Sequence, residues 1–178
     1  VDEPNYYPEV ADNFTRILRT VTDEQWDLPT PCEDWSVRDL VTHVVATHQR
    51  VYSLLGTEPA ALEEPPAAAW DRAHQMMLDA LEDPALAATP VHTRAGEQDF
   101  SALVGGLVMF DTLCHSWDLA RAVGADETLC APAVARAHAR LAEIDDAIRV
   151  PGGFGPAVTP EPDADAQTRF LNFVGRRP

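Results

Sequence analysis

Apolar positions Val10, Phe14, Ile17, Leu18 and Val21 recur three or four residues apart and predict a first helix over residues 8–21. A second period, Val37, Val41, Val44, Val51 and Leu55, begins after Ser36-Val-Arg-Asp39. There a hydroxyl followed three residues later by a carboxylate makes a capping-box pattern, and Gly56 supplies the stop. Trp70, Ala73, Met77 and Leu81 mark a third helix over residues 67–81, closed by Pro84. The longest period starts near Ser101, passes through Phe110, His115 and Leu119, and ends at Val123 with Gly124 just beyond. Inside it, Gly105-Gly106 predicts a close helix contact. Pro132 in a first turn opens a fifth helix to about residue 148, and Phe170, Leu171 and Val174 mark a short amphipathic helix near the end.

The intervening segments lack a helical period. Residues 28–35 form a proline-punctuated loop, since each proline biases its predecessor away from helix. Residues 88–99 read as a long connection with room for a short extended piece, and residues 150–162 are rich in proline and glycine. With no internal repeat and no alternation of strand and helix, the pattern predicts an all-α helix bundle, four helices in the core and further helices after them. A chain of 178 residues with 46% hydrophobic positions suffices for one domain without covalent staples. The expectation is a single domain over residues 1–178, its core at about 8–148 and a C-terminal extension over 149–178.

Charge narrows the function. There are 29 acidic residues against 13 basic ones, all arginine, for a formal charge of -16. Such a surface repels nucleic acid and favours solubility. No apolar run is long enough to span a membrane and no secretory pattern opens the chain, so a cytoplasmic location is expected. Cys32, Cys114 and Cys130 are odd in number and far apart, which argues for reduced thiols and against a disulfide or Cys-x-x-Cys framework. Cys114 reads as packing. Trp26 and Trp70 read as core, His74, His92 and His138 as surface or structural, and Arg38, Arg94 and Arg121 as ion-paired.

The candidate chemistry lies in Asp111-Thr-Leu-Cys-His115, where a carboxylate and an imidazole at i and i+4 share one helix face; Asp118 at i+7 extends the stripe. Alone, such a pair reads as a helical ion pair or hydrogen bond and is a weak motif. A third ligand from another helix makes it a metal site, because catalytic zinc takes three protein ligands and keeps a position open. Helix two offers two candidates. At about 100° per residue His48 lies in the middle of the apolar stripe, whereas His43 lies on its flank beside Leu40 and Thr47, so periodicity favours His48.

Pro29-Thr-Pro-Cys32 followed by Trp35-Ser-Val-Arg-Asp-Leu-Val-Thr-His43, together with His115-Ser-Trp-Asp118-Leu-Ala, resembles the metal-binding domain of the mycothiol-dependent maleylpyruvate isomerase family, one of the DinB-like helical bundles. The resemblance spans Val10 to Gly124, and Phe154-Gly-Pro-Ala-Val with Gly175-Arg is similar to an actinobacterial subgroup. It implies a DinB-like four-helix bundle with additional C-terminal helices, and a divalent metal held by His43, Asp111 and His115. Two departures stand out: Asp111 replaces the isomerase's glutamate, losing a methylene of reach, and the chain is too short for the isomerase's additional C-terminal domain.

Two imidazoles and a carboxylate suit zinc first, with nickel, iron or manganese as alternatives. The resemblance further implies that the metal activates a thiol, mycothiol, for transfer to an electrophile. Asp118 then either holds His115 or caps a neighbouring helix. Three function classes are carried forward: a metal-dependent thiol transferase or isomerase, a metal-dependent hydrolase, and a non-catalytic metal-binding or regulatory protein. Expected partners are a small-molecule thiol and an electrophilic substrate, with a homodimer left open, and neither nucleic acid nor membrane.

Overall fold

A computed structural model describes residues 4–57, 65–93, 96–149 and 154–178. Arg94 and most of the Pro/Glu/Ala-rich connection before the third helix lie outside the described residues. Among the described residues the protein is all-α apart from one small hairpin, and it has the DinB-like bundle. Packing divides the chain into two compact units, Val1–Glu127 and Thr128–Pro178.

The first unit holds α1 (Tyr7–Leu18), α2 (Val37–Tyr52), α3 (Pro66–Glu82) and α4 (Met109–Val123). Helix α1 packs on α3 and α4, and α2 packs on the same two, so the four close a ring. Their inward faces supply Tyr7, Phe14, Leu40, Val44, Trp70, Met77, Leu113 and Trp117, all buried. The Phe14 and Trp70 ring centroids are 4.5 Å apart. Removing a fully buried ring of this kind costs about 3–5 kcal/mol.

The start and stop signals act as their chemistry dictates. Ser36 Oγ accepts from the Asp39 N–H at 3.2 Å while Asp39 Oδ2 accepts from the Ser36 N–H at 2.9 Å, which satisfies two donors that α2 leaves open. Helix α2 tightens into a final turn at Ser53–Leu55 and stops at Gly56, whose φ of 85° only glycine adopts without cost. Gly124, at φ 70°, ends α4 in the same way. Pro84 does more than close α3: it opens a one-turn helix, Pro84–Ala87, whose Asp83 cap accepts from Ala85 N–H at 2.8 Å. Residues 88–99, expected as a connection with room for a short extended piece, contain two antiparallel strands, β1 (Pro90–Thr93) and β2 (Gly96–Asp99).

Helix α4 continues a run that begins at Phe100 and includes a π-helical segment, Val104–Val108, holding both glycines. The two glycines differ. A Cβ on Gly105 would meet Asn5 Oδ1 at 3.1 Å, whereas the space at Gly106 is open, so one glycine serves a close approach and it is to Asn5, two residues ahead of α1. The wider π turn resets the helical phase just ahead of Asp111.

Three expectations need correction. Trp26 is half-buried, with the Arg38 guanidinium 5.5 Å above its ring, and is not a core residue. Leu81 is only partly buried, and Ala80 faces the core instead. The fifth helix, α5 (Ala131–Glu143), breaks at Ile144 before a separate turn, Asp145–Ile148. In the second unit α5 packs on α6 (Ala166–Phe173), burying Phe170 and Leu171. No helix among the described residues is long and apolar enough to cross a membrane.

Candidate metal centre

The α2 and α4 faces meet so that His43 Nε2 lies 3.2 Å from Asp111 Oδ1, and His115 Nε2 lies 3.6 Å from the same oxygen. All three donor atoms fall within 4.8 Å of one another. Zinc bonds of about 2.0–2.1 Å in a tetrahedron put ligand atoms roughly 3.3 Å apart, so the spacing suits one divalent ion. A second observation agrees: Asp111 Oδ2 is buried and has no hydrogen-bond partner among the described residues. A buried carboxylate oxygen without a donor is costly, and a cation or the solvent it carries removes that cost. The residues present therefore fit a divalent metal.

The cluster is graded in exposure: the side chains of His43, Asp111 and His115 are 34%, 18% and 10% exposed, so His43 is the most open to solvent. The indole of Trp35 forms a wall, its centroid 4.6 Å from the His43 ring and 5.8 Å from the His115 ring.

His115 uses its two nitrogens differently. Nδ1–H donates to Asp118 Oδ2 at 3.0 Å, and Asp118 is completely buried. That bond fixes the orientation of the ring and turns Nε2 towards Asp111 and His43.

Cys32 is the residue that sequence reasoning missed. Its Sγ lies 3.3 Å from Asp118 Oδ2 and 3.8 Å from His115 Nδ1, forming a second group with metal-ligand chemistry. Pro29-Thr-Pro-Cys32 carries the signal, but cysteine number and spacing speak only to disulfide and Cys-x-x-Cys pairing. Cys114 is buried as expected, and no disulfide joins the cysteines.

Electrostatics in the cluster is dominated by opposed effects. Burial pushes the Asp111 carboxyl up, yet the His115 charge and the hydrogen bond from His43 together outweigh it and hold the carboxyl below its ordinary value. Burial likewise pulls His115 down, but Asp111 and the bond to Asp118 win and lift it to about 10.

His48 does not join the cluster. It is wholly buried; Nδ1–H donates to the Val44 carbonyl at 2.8 Å and Nε2 accepts from the Tyr7 hydroxyl at 3.0 Å. Burial lowers its pKa to about 4, as expected for a neutral core imidazole. His74 contacts the Tyr7 hydroxyl at 3.3 Å and stacks on Trp70, while His92 is exposed and pairs with Glu97 at 2.8 Å. Arg121 pairs with Glu127 at 2.9 Å and Arg38 with Asp27 at 3.6 Å, as their sequence context suggested.

A helical bundle with a His-Asp-His cluster at the junction of two helices, fronted by the loop carrying Cys32 and Trp35, defines a class, and comparison with known proteins identifies it. The family model of the mycothiol maleylpyruvate isomerase N-terminal domain matches residues 7–71, and the chain belongs to that family. The matched stretch contains Cys32, Trp35 and His43; Asp111, His115 and Asp118 lie beyond it. Two uncharacterized proteins of Mycobacterium tuberculosis, from strains CDC 1551 / Oshkosh and ATCC 25618 / H37Rv, are each 30% identical over 177 residues. That alignment covers 96% of this chain and 97% of each relative. No solved structure matches the chain.

Proposed function

We propose that the protein holds one divalent cation, zinc first, through His43 Nε2, Asp111 and His115 Nε2, and uses it to activate a low-molecular-weight thiol for transfer to an electrophile. The observation that carries this reading is the convergence of three donor atoms on one point, with the second Asp111 oxygen lacking a partner. A bound divalent ion supplies Lewis acidity at that point, lowering the pKa of whatever thiol or water takes its open position. The chain's own residues set the stage. Asp118 holds His115 in the tautomer that frees Nε2. Trp35 offers an aromatic wall beside the two imidazoles, where the apolar part of a substrate would lie and water would be excluded.

Family membership supports mycothiol as the thiol and an isomerase or S-transferase as the reaction class. Asp111 is shorter than glutamate by one methylene, so its carboxylate reaches less far from α4. The test is turnover of an electrophilic substrate by the zinc-loaded protein with and without mycothiol. Thiol-dependent turnover that disappears in His43→Ala supports the proposal. Hydrolysis that proceeds equally without thiol would replace it with the hydrolase reading, and metal binding without either activity with the non-catalytic one.

A further inference from the structure

Cys32 is held in place by its own loop. The Trp35 N–H donates to the Cys32 carbonyl at 3.1 Å, closing a turn that Asp34 completes in the left-handed region at φ 64°. The Cys32 N–H donates to Thr30 Oγ1 at 3.2 Å, and the Thr30 N–H to the Trp35 carbonyl at 3.0 Å. The Val37 N–H, in the first turn of α2, donates to the Leu28 carbonyl at 3.0 Å. The loop is thereby tied to itself and to the helix that carries His43. It delivers two side chains to the cluster from one rigid turn: Trp35 against the imidazole rings and Cys32 against Asp118.

The thiol gives Asp118 one of its donors. Its carboxylate is completely buried, and a buried charge is tolerated only where donors surround it. The His115 N–H supplies one donor and the Cys32 S–H another, both to Oδ2. The thiol lies on the Nδ1 side of the His115 ring, whereas Asp111 and His43 lie on the Nε2 side. One imidazole cannot present both nitrogens to one ion, so the two groups that share His115 are alternatives, not parts of one larger site.

We propose that Cys32 is a positioning residue for the metal centre: its S–H fixes Asp118, which fixes His115, and the sulfur itself does not ligate the ion. This rests on the reading of His43, Asp111 and His115 as the ligands. The role differs from disulfide formation, from nucleophilic catalysis and from zinc ligation, the three uses a cysteine near histidines ordinarily suggests.

Cobalt(II) titration of the full chain, followed by visible and near-ultraviolet absorption, separates these roles. Wild type is expected to show ligand-field bands without a thiolate-to-cobalt charge-transfer band. Cys32→Ala and Cys32→Val, which remove the donor with and without loss of side-chain volume, are each expected to weaken cobalt binding measurably, by less than the about 10- to 100-fold cost of losing the residue that orients the ligand directly. Either variant carries the test if the other does not fold. Cys32→Ser keeps a donor and should recover most of the affinity with the same band shape. A charge-transfer band in wild type that vanishes in Cys32→Ser overturns the proposal by making sulfur a ligand. Wild-type affinity in the donor-free variants overturns it by making the thiol irrelevant. His43→Ala distinguishes the two levels: if it abolishes cobalt binding while Cys32→Ala does not, the centre stands and only the role of Cys32 falls. If wild type binds no cobalt, both fall.

Discussion

His115 and Asp118 stand three residues apart on α4 with Nδ1 and Oδ2 at 3.0 Å, and this one bond decides which nitrogen of His115 faces the cluster. Asp118→Asn keeps the shape of the side chain and removes its charge. Because the acceptor is weaker and the amide is free to flip, zinc affinity in a competition titration should fall about 10- to 100-fold. Undiminished affinity would show that helix geometry alone orients His115.

The raised pKa of His115 has two consequences. The nearby carboxylates lift the folded value to about 10 against an ordinary 6.5, despite the opposing effect of burial. A base whose folded pKa is raised contributes stability that is fully present below the unfolded value and lost as pH rises through the folded one. The metal-free protein should therefore melt at progressively lower temperature from about pH 7 to pH 10. A divalent ion must displace a proton from Nε2, so binding near pH 8 should release about one proton. Calorimetry in buffers of different ionisation enthalpy measures that number, and zero release would contradict the charge state assigned to His115.

His48 shifts in the opposite sense, and its sign reverses too. Burial depresses its folded pKa to about 4, so the unfolded chain binds the proton first and stability falls as pH drops from 6.5 towards 4. Over that interval the loss is on the order of 3 kcal/mol. In His48→Gln, urea midpoints should decline less steeply between pH 7 and pH 4.5. Its zinc affinity should stay near wild type, because both ring nitrogens are engaged by Val44 and Tyr7 and neither reaches the cluster.

Ser36 starts the helix that carries His43. Ser36→Ala leaves the Asp39 N–H without its cap at a cost of about 1 kcal/mol. For a chain of this size that is roughly 2–4 °C in Tm by thermal melting. A larger fall would mean that the cap also holds the Cys32–Trp35 turn, whose last residue precedes it.

Much of this arrangement was legible in the sequence because local chemistry specifies it. The Ser36-Asp39 box, Gly56, Gly124 and the spacing of Asp111 and His115 each act within one or two helical turns. The choice between His43 and His48 was not local. An apolar stripe marks the side of α2 that faces the core, and an imidazole in its middle meets Tyr7 and Trp70, which satisfy and bury it. A residue that joins a solvent-facing cluster belongs on the flank of that stripe, where His43 is. Periodicity therefore identified burial correctly and pointed to the wrong imidazole for contact with Asp111. Cys32 was hidden for a related reason: its partners are 83 and 86 residues away, and nothing in cysteine spacing reveals a thiol that donates to a carboxylate. The hairpin over residues 90–99 eluded periodicity because its strands are four residues long and largely exposed.

The most direct test of the metal centre is elemental analysis of the protein saturated with zinc and freed of excess, for wild type, His43→Ala and His48→Ala. The three-ligand site predicts about one zinc per chain in wild type and in His48→Ala, and a near-complete loss in His43→Ala. Zinc retained by His43→Ala and lost from His48→Ala, or absent from the wild-type protein, would contradict it.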